Sequence, residues 1–288
     1  MASILITGTS TGIGLATALG LGRAGHKVYA TMRNPARAPE LATTAAQENL
    51  PINVSVMDVD SDSSVKTAIA EIIKDAGHID VLVNNAGVER NGSIEELPLS
   101  DFRLVMETNY FGALRCIQAL LPDMRQRKSG CIINVTSVAG RIANAPLAPY
   151  TASKFALEAL SEVLAQEMKA FGVRVAIVEP GIIETPMAKR IQEPMSGSPY
   201  SQQARFAHLF AASLKHPVPP SVVGEKIREI IESGSRQLRH PVGPDSVPLL
   251  EWRKSMTDEQ WVDFHGADDD TWYRNMERSM GMAIRPKG

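Results

Sequence analysis

The sequence predicts an α/β fold, a parallel doubly wound sheet in a single domain, and three observations carry that reading. Short β-branched runs alternate with helical segments from the first residues onward, as expected when each strand is followed by a crossover helix. The runs are continuously apolar, which suits strands covered by helices on both faces. A glycine-rich turn joins the first run to the first helix, the place where such sheets meet a nucleotide.

The elements follow in order. Residues 3–7 read as the first strand, 12–24 as a helix and 26–31 as the second strand. Strands at 52–57 and 79–83 flank an amphipathic helical stretch at 63–76. A long helical pattern covers 99–124, then a strand 131–136, a helix from 150 to about 170 and a strand 173–178. Beyond Pro186 the texture changes: residues 187–220 are rich in Pro, Ser and Gln around one helical island at 202–214. A helix at 221–233 and a strand near 236–241 would close the sheet. The tail, 247–288, carries Trp252, Trp261 and Trp272, and the acidic Asp268, Asp269 and Asp270 open a last helix. With no internal repeat or low-complexity linker, residues 1–245 read as one domain, with a substrate lid at 187–216 and a helical C-terminal extension at 246–288. The tail tryptophans are expected to pack the extension onto the core or a partner subunit rather than to line a cofactor site.

Composition narrows the function. Apolar residues make up 44% of the 288 positions, enough for a sizeable core. The 30 basic and 32 acidic residues leave a net charge of −2, which argues against a nucleic-acid footprint, and no basic run marks a membrane surface. Cys116 and Cys131 are too few for a disulfide framework or a metal cluster and read as small buried hydrophobes. His26, His78, His208, His216, His240 and His265 show no metal-ligand spacing, so no metal site is expected. No apolar run approaches the roughly 18 residues of a membrane span, and the first strand starts too near Met1 for a signal peptide. The expected location is cytoplasmic.

The turn after the first strand reads Thr7-Gly8-Thr9-Ser10-Thr11-Gly12-Ile13-Gly14. Gly8 permits a tight turn, Gly12 a close approach of backbone to phosphate, and Gly14 close packing of helix on strand. The free N–H groups and dipole of the helix N-terminus then favour a pyrophosphate. A literal G-x-G-x-x-G also occurs, from Gly20 to Gly25, but at a helix end after no strand; Gly25 is a helix stop. These features make the fold Rossmann-type. The second strand ends Thr31-Met32-Arg33-Asn34, without the carboxylate that would bond the ribose of NAD. Arg33 can instead pair with a 2′-phosphate in bidentate fashion, so NADP(H) is preferred over NAD(H). A solvated loop arginine is the alternative. Asp58, just past the third strand, lies where an adenine amino group would bind; a helix cap in the 58–62 region competes with that reading.

Tyr150 and Lys154 are one helical turn apart and lie on the same face. A phenol has an ordinary pKa of about 10, and a nearby ammonium favours the phenolate and draws that value toward the working range. Ser137, thirteen positions upstream of Tyr150, offers a hydroxyl to hold a carbonyl against the phenol. Its alternative role is to cap a turn at 137–140. No Gly-x-Ser-x-Gly elbow surrounds Ser137, which argues against a serine hydrolase.

With the 8–14 loop, Asn84-Asn85-Ala86-Gly87, Ser137 and Tyr150/Lys154 in this order, the chain resembles the short-chain dehydrogenase/reductase family, from Ser3 to about Pro186. Val28-Tyr29-Ala30-Thr31-Met32-Arg33 and the extension look most like the hydroxysteroid and retinol dehydrogenase branch. The resemblance implies that Asn109, in Thr108-Asn109-Tyr110, holds a water in a proton relay. It likewise implies that Ser137 bonds the substrate oxygen, that Tyr150 is the acid–base and that Lys154 binds the nicotinamide ribose. It places the cofactor against Ser10, Thr11 and Ile13 of the loop, Asp58 and Val59, the Asn85, Ala86 and Gly87 segment, and Pro180, Gly181, Ile183 and Thr185 at the nicotinamide end. Position 11 is Thr where many NADP-using members carry a basic residue, so the NADP preference rests on Arg33. The implied reaction interconverts a secondary alcohol and ketone, or an alcohol and aldehyde, of an apolar small molecule. A catalytically weak dinucleotide-binding sensor on the same fold is the alternative. The helices at 99–124 and 150–170 resemble the family's dimer-forming pair, so a homodimer or homotetramer is expected.

Overall fold

Seven strands form one parallel sheet in the order β3-β2-β1-β4-β5-β6-β7 in the computed structural model, which describes residues 1–191 and 197–286. They are β1 (Ser3–Thr7), β2 (Lys27–Met32), β3 (Ile52–Val56), β4 (Val81–Asn84), β5 (Cys131–Val135), β6 (Arg174–Pro180) and β7 (Arg239–Val242). The chain adds strands outward from β1 on one side and then returns to add β4 on the other. In register, Ile6 pairs with Ala30 of β2 and with Val83 of β4. That reversal opens a crevice at the C-terminal ends of β1 and β4, where doubly wound sheets bind their ligands. Pro241 is tolerated in β7 because that strand is an edge.

The five inner strands, β2, β1, β4, β5 and β6, bury both faces. Ile4 and Ile6 of β1, Val81 and Val83 of β4, and Cys131 and Ile133 of β5 join one core layer. The intervening Leu5, Leu82 and Ile132 join the other. Helices α1 (Gly12–Arg23), α2 (Glu40–Gln47) and α9 (Ser221–Ser233) cover the first layer through Leu21, Leu41 and Ile227. Helices α3 (Asp62–Ala76), α5 (Gly112–Arg127) and α6 (Ala148–Met168) cover the second through Ile69, Ile117 and Leu164. The two cysteines lie in opposite layers, and burial pushes the Cys116 thiol up to about 12 and Cys131 to about 11, far from a reactive thiolate.

Three expectations need correction. Helix α2 was not foreseen: it follows the Pro35–Arg37 turn and is only eight residues long. The long helix is α4 (Leu99–Met106), a π-turn at Glu107–Phe111, then α5, which runs on past residue 124 to Arg127. The tail holds three helices, α10 (Ser246–Lys254), α11 (Asp258–Gly266) and α12 (Asp269–Met280), where one was expected.

The stretch after β6 carries α7 (Pro186–Ile191) and α8 (Gln202–Ser213). Part of the expected lid, residues 192–196, lies outside the described residues. Phe206 and Leu209 of α8, Trp272 and Met276 of α12, and Leu147 before α6 form a third apolar cluster, with Tyr150 at its edge. The extension therefore packs onto the core, and it does so beside the crevice. Among the described residues, no helix is long and apolar enough to cross a membrane.

Candidate active site

The glycine turn is locked to the end of β4. Thr7 Oγ1 accepts from the backbone N–H groups of Asn85 and Ala86, both at 3.0 Å. Asn85 Nδ2 returns bonds to the carbonyls of Thr7 and Gly8 at 3.0 Å. Two glycines are required by this closeness. Gly8 has φ +70°, and a Cβ on it would lie 2.6 Å from Ala86 Cα. A Cβ on Gly14 would lie 2.2 Å from the Gly8 carbonyl oxygen. The same Cβ would lie 2.5 Å from Asn85 Nδ2, so Gly14 lets α1 close on the ends of β1 and β4. Thr11 precedes α1 without a side-chain cap, and the first turn holds no acidic residue. The first amides of α1 therefore face the crevice with neither cap nor repelling charge, which fits a pyrophosphate.

A cavity of ≈ 230 Å³ runs from this turn across the sheet ends. It is lined by the expected Gly8, Ser10, Thr11, Gly12, Ile13, Gly14, Arg33, Asp58, Val59, Asn85, Ala86, Gly87, Tyr150, Lys154 and Thr185. Asp58 does not cap α3. Ser61 does, accepting from Ser64 N–H at 3.3 Å, while the Asp58 carboxylate accepts from Asp60 N–H at 3.1 Å. The sequence reading passed over Asp60, Thr108 and Arg190, which line the same cavity.

Pro180, Gly181 and Ile183 face a second, mostly apolar cavity of ≈ 160 Å³, together with Ser137. The two cavities share Ile13, Thr136, Tyr150, Thr185 and Met187, so the phenol stands at their junction. The β6–α7 segment is fixed by Asp245, whose Oδ2 accepts from Ile182 N–H at 2.8 Å; no local pattern in the sequence pointed to Asp245. The wall of the second cavity comes from the lid (Met187, Ile191, Phe206, Phe210) and also from the tail (Leu249, Trp252, Met276, Met280). Trp252 thus lines this cavity, while Trp261 donates to the Ala143 carbonyl at 2.8 Å and Trp272 packs into the third apolar cluster, both tying the extension to the core.

Tyr150 occupies the first turn of α6 and Lys154 the next. Lys154 is 4% exposed, donates from Nζ to the Val135 carbonyl at 2.9 Å, and lies 5.5 Å from the centre of the Tyr150 ring. Burial drives both groups toward their neutral forms. It pushes the Tyr150 phenol up to about 12, with the Glu89 carboxylate adding to the rise and the Ser137 hydroxyl opposing it. It also pushes Lys154 down to about 8 against the pull of Glu158. The lowering of the phenol pKa expected from helical spacing therefore does not prevail, because burial of the phenol dominates.

Ser137 Oγ accepts from Ala139 N–H at 3.1 Å and donates to the Pro180 carbonyl at 3.4 Å. It thus caps its turn and also faces the apolar cavity. Asn109 sits in the π-turn, 1% exposed, and lines neither cavity. Its Oδ1 accepts from Val88 N–H at 2.8 Å, and its Nδ2 donates to the Val88 carbonyl and to Ser153 Oγ, both at 2.9 Å. Both amide hydrogens are committed to the chain. Glu89, next along, is 8% exposed, lines the apolar cavity and pairs with Arg190 at 3.5 Å. It went unread because nothing local to positions 88–91 marks a pocket carboxylate.

Comparison with known proteins agrees with this geometry. The short chain dehydrogenase family model matches residues 2–196. The chain is 36% identical over 271 residues to 3-ketodihydrosphingosine reductase of Bacteroides thetaiotaomicron, covering 91% of this chain and 95% of that one. It is 35% identical over 262 residues to retinol dehydrogenase 8 of Bos taurus, covering 86% and 83%. It is 37% identical over 212 residues to estradiol 17-beta-dehydrogenase 1 of Rattus norvegicus, covering 72% of this chain and 62% of that one. Among solved structures, a short-chain dehydrogenase from Streptomyces avermitilis superposes with TM-score 0.78 at 30% identity, covering 92% of this chain and 96% of that one. An actinorhodin polyketide ketoreductase with NADPH superposes with TM-score 0.74 at 28% identity, covering 83% and 95%. The chain belongs to the short-chain dehydrogenase/reductase family, on its hydroxysteroid and retinol dehydrogenase side, and is a nicotinamide-dinucleotide-dependent oxidoreductase.

Proposed function

We propose that this protein is an NADP(H)-dependent oxidoreductase that interconverts a ketone or aldehyde and the matching alcohol on an apolar molecule. One observation carries the reading: a half-buried phenol, Tyr150, stands where a polar cavity lined by the glycine turn meets an apolar one. When bound, the nicotinamide supplies or accepts the hydride. The chain handles the proton and the charge. Thr185, Pro186 and Met187 flank the nicotinamide end of the polar cavity. Lys154, fixed by the Val135 carbonyl, holds the nicotinamide ribose. In reduction Tyr150 gives its proton to the forming alkoxide, and Ser137 steadies the same oxygen. In oxidation the phenolate takes the proton back. With its pKa pushed upward, Tyr150 is protonated at neutral pH, the form that reduction uses. Asn109 acts as a strut for the Val88 segment, and any water it holds is bonded by oxygen rather than by its committed amide hydrogens.

The NADP preference rests on Arg33, an exposed guanidinium at the rim of the polar cavity. The substrate's apolar body follows from the aliphatic and aromatic wall of the second cavity. Exposed Phe111 and Phe155, beside α5 and on α6, suit the proposed homodimer or homotetramer.

The experiment is Tyr150→Phe measured with NADPH and a panel of aromatic ketones, steroids and retinoids. The variant is expected to bind NADPH as the parent does and to lose at least about a thousandfold in kcat. Substantial remaining turnover would sink the mechanism.

A further inference from the structure

Tyr150, Lys154 and Glu158 follow one another at single-turn spacing along α6, and the third of them lines neither cavity. Glu158 is nonetheless 4% exposed. Three consecutive residues at the end of β5 are bonded to this buried face of α6. Asn134 Nδ2 donates to Ser161 Oγ at 2.8 Å, Lys154 Nζ to the Val135 carbonyl at 2.9 Å, and Thr136 Oγ1 to Glu158 Oε1 at 2.6 Å. The next residue is Ser137. Thr136 has one hydroxyl hydrogen and two acceptors, but the Val178 carbonyl, at 3.1 Å, already takes the Thr136 N–H at 2.8 Å. The hydrogen therefore serves Glu158.

Glu158 also supports the turn beyond Ser137. A Cβ on Gly140, which closes that turn, would lie 2.9 Å from Glu158 Cγ, so this side chain fills the space beside it. Arg239 of β7 pairs with Glu158 at 3.1 Å and with Glu179 at 3.4 Å, and it also pairs with Glu162. Glu179 is fully buried, pairs with Arg141 at 3.2 Å, and precedes Pro180, whose carbonyl takes the Ser137 hydroxyl at 3.4 Å. The cluster thus grips the chain on both sides of Ser137, at Thr136 and Arg141, and beside its partner Pro180. Burial raises the carboxyls of both Glu158 and Glu179 above the usual range. Buried ions of this kind add little to stability over apolar residues of like volume, whereas a reacting centre needs its groups held by such supports.

We propose that Glu158 is a positioning residue of the reaction, holding the Ser137 hydroxyl at the oxygen that Tyr150 protonates. It acts through Thr136 and the 138–140 turn, with Arg239 and Glu179 fixing it from behind. This inference rests on the oxidoreductase reading above.

The test uses the full chain, NADPH and whichever ketone of the panel above the parent reduces fastest, at a pH of about 6 so that Lys154 stays protonated. Glu158→Met removes the acceptor for Thr136 at nearly constant length, and Arg239 keeps Glu179 and Glu162. It is expected to lower kcat about 10- to 100-fold while the dissociation constant for NADPH, read from its fluorescence, stays within about twofold. Thr136→Val cuts the same link from the other end and is expected to match that loss. Glu158→Gln keeps an oxygen for Thr136 and is expected to retain most of the parent kcat. In a Ser137→Ala background, Glu158→Met is expected to cost less than about twofold further, because the group it positions is gone. Equal losses with and without Ser137 overturn the proposal, as does a Glu158→Gln no better than Glu158→Met, or a parallel loss of NADPH binding. Should Glu158→Met fail to fold, Thr136→Val in the two backgrounds decides by the same comparison. A parent that reduces no ketone with NADPH or NADH fails the oxidoreductase reading itself, and this inference falls with it.

Discussion

Asn109 grips Val88 from both sides, accepting from its N–H at 2.8 Å and donating to its carbonyl at 2.9 Å. The residues around Val88 carry Gly87 of the polar cavity and Glu89 of the apolar one, so this clamp aligns both halves of the site. Asn109→Ala leaves the Val88 N–H and carbonyl without their partner and takes one bond from Ser153, whose hydroxyl keeps the Tyr150 carbonyl. The expected loss is about 2–4 kcal/mol of folding stability, with weaker cofactor binding. Denaturant titration of the variant checks the first part, and an unchanged midpoint would contradict it.

Lys154 gives the protein a pH signature. Its folded pKa of about 8 lies below the ordinary 10.5, so between these values the unfolded chain binds more protons and stability rises with pH. Below about 8 the burial cost is fully present, on the order of 3 kcal/mol. Lys154→Met removes that cost and forfeits one bond to Val135, worth about 1 kcal/mol. The variant is therefore expected to be more stable than the parent near neutral pH, with the gap narrowing as pH climbs above 8. Unfolding curves over that range decide the matter, and a gap that stays constant with pH argues against it.

Removing the guanidinium with Arg33→Ala is expected to weaken NADPH binding by about 10- to 100-fold while leaving NADH nearly untouched, as for a charge-assisted pair with one phosphate. Titration with the two cofactors is sufficient. Equal losses for both would remove Arg33 from the phosphate and leave the NADP preference without support.

Glu89 raises the pKa of Tyr150. Reduction needs the phenol protonated, so activity is lost as pH rises through the phenol's pKa. Glu89→Gln removes a charge that favours the neutral form, and the alkaline limb of the ketone-reduction profile is expected to move to lower pH. A limb that stays put, or moves up, would show that Arg190 already cancels this carboxylate.

Legibility in the sequence followed the range of each interaction. The strand–helix alternation and the glycine turn depend on neighbours a few positions apart, and β1, α1 and the 8–14 loop lie where those neighbours put them. The π-turn at Glu107–Phe111 has no breaker residue to announce it. Tyr150 and Lys154 were readable as a pair, but the direction of their pKa shifts was not, because it depends on burial in the folded chain rather than on helical spacing. Asp245 holds the Ile182 N–H from 63 positions away, and Trp252 reaches the apolar cavity from the tail. No periodicity in the tail could say where its helices dock.

The two cavities are built from different stretches of chain. The polar one is complete by Arg190, whereas Leu249, Trp252, Met276 and Met280 reach the apolar one only from the last forty residues. Chemistry and selectivity are thus separately inherited traits of this molecule. Drift in the tail can retune which compound is accepted without touching the machinery that moves the proton, and a grafted tail is a route to new selectivity on an unchanged reaction.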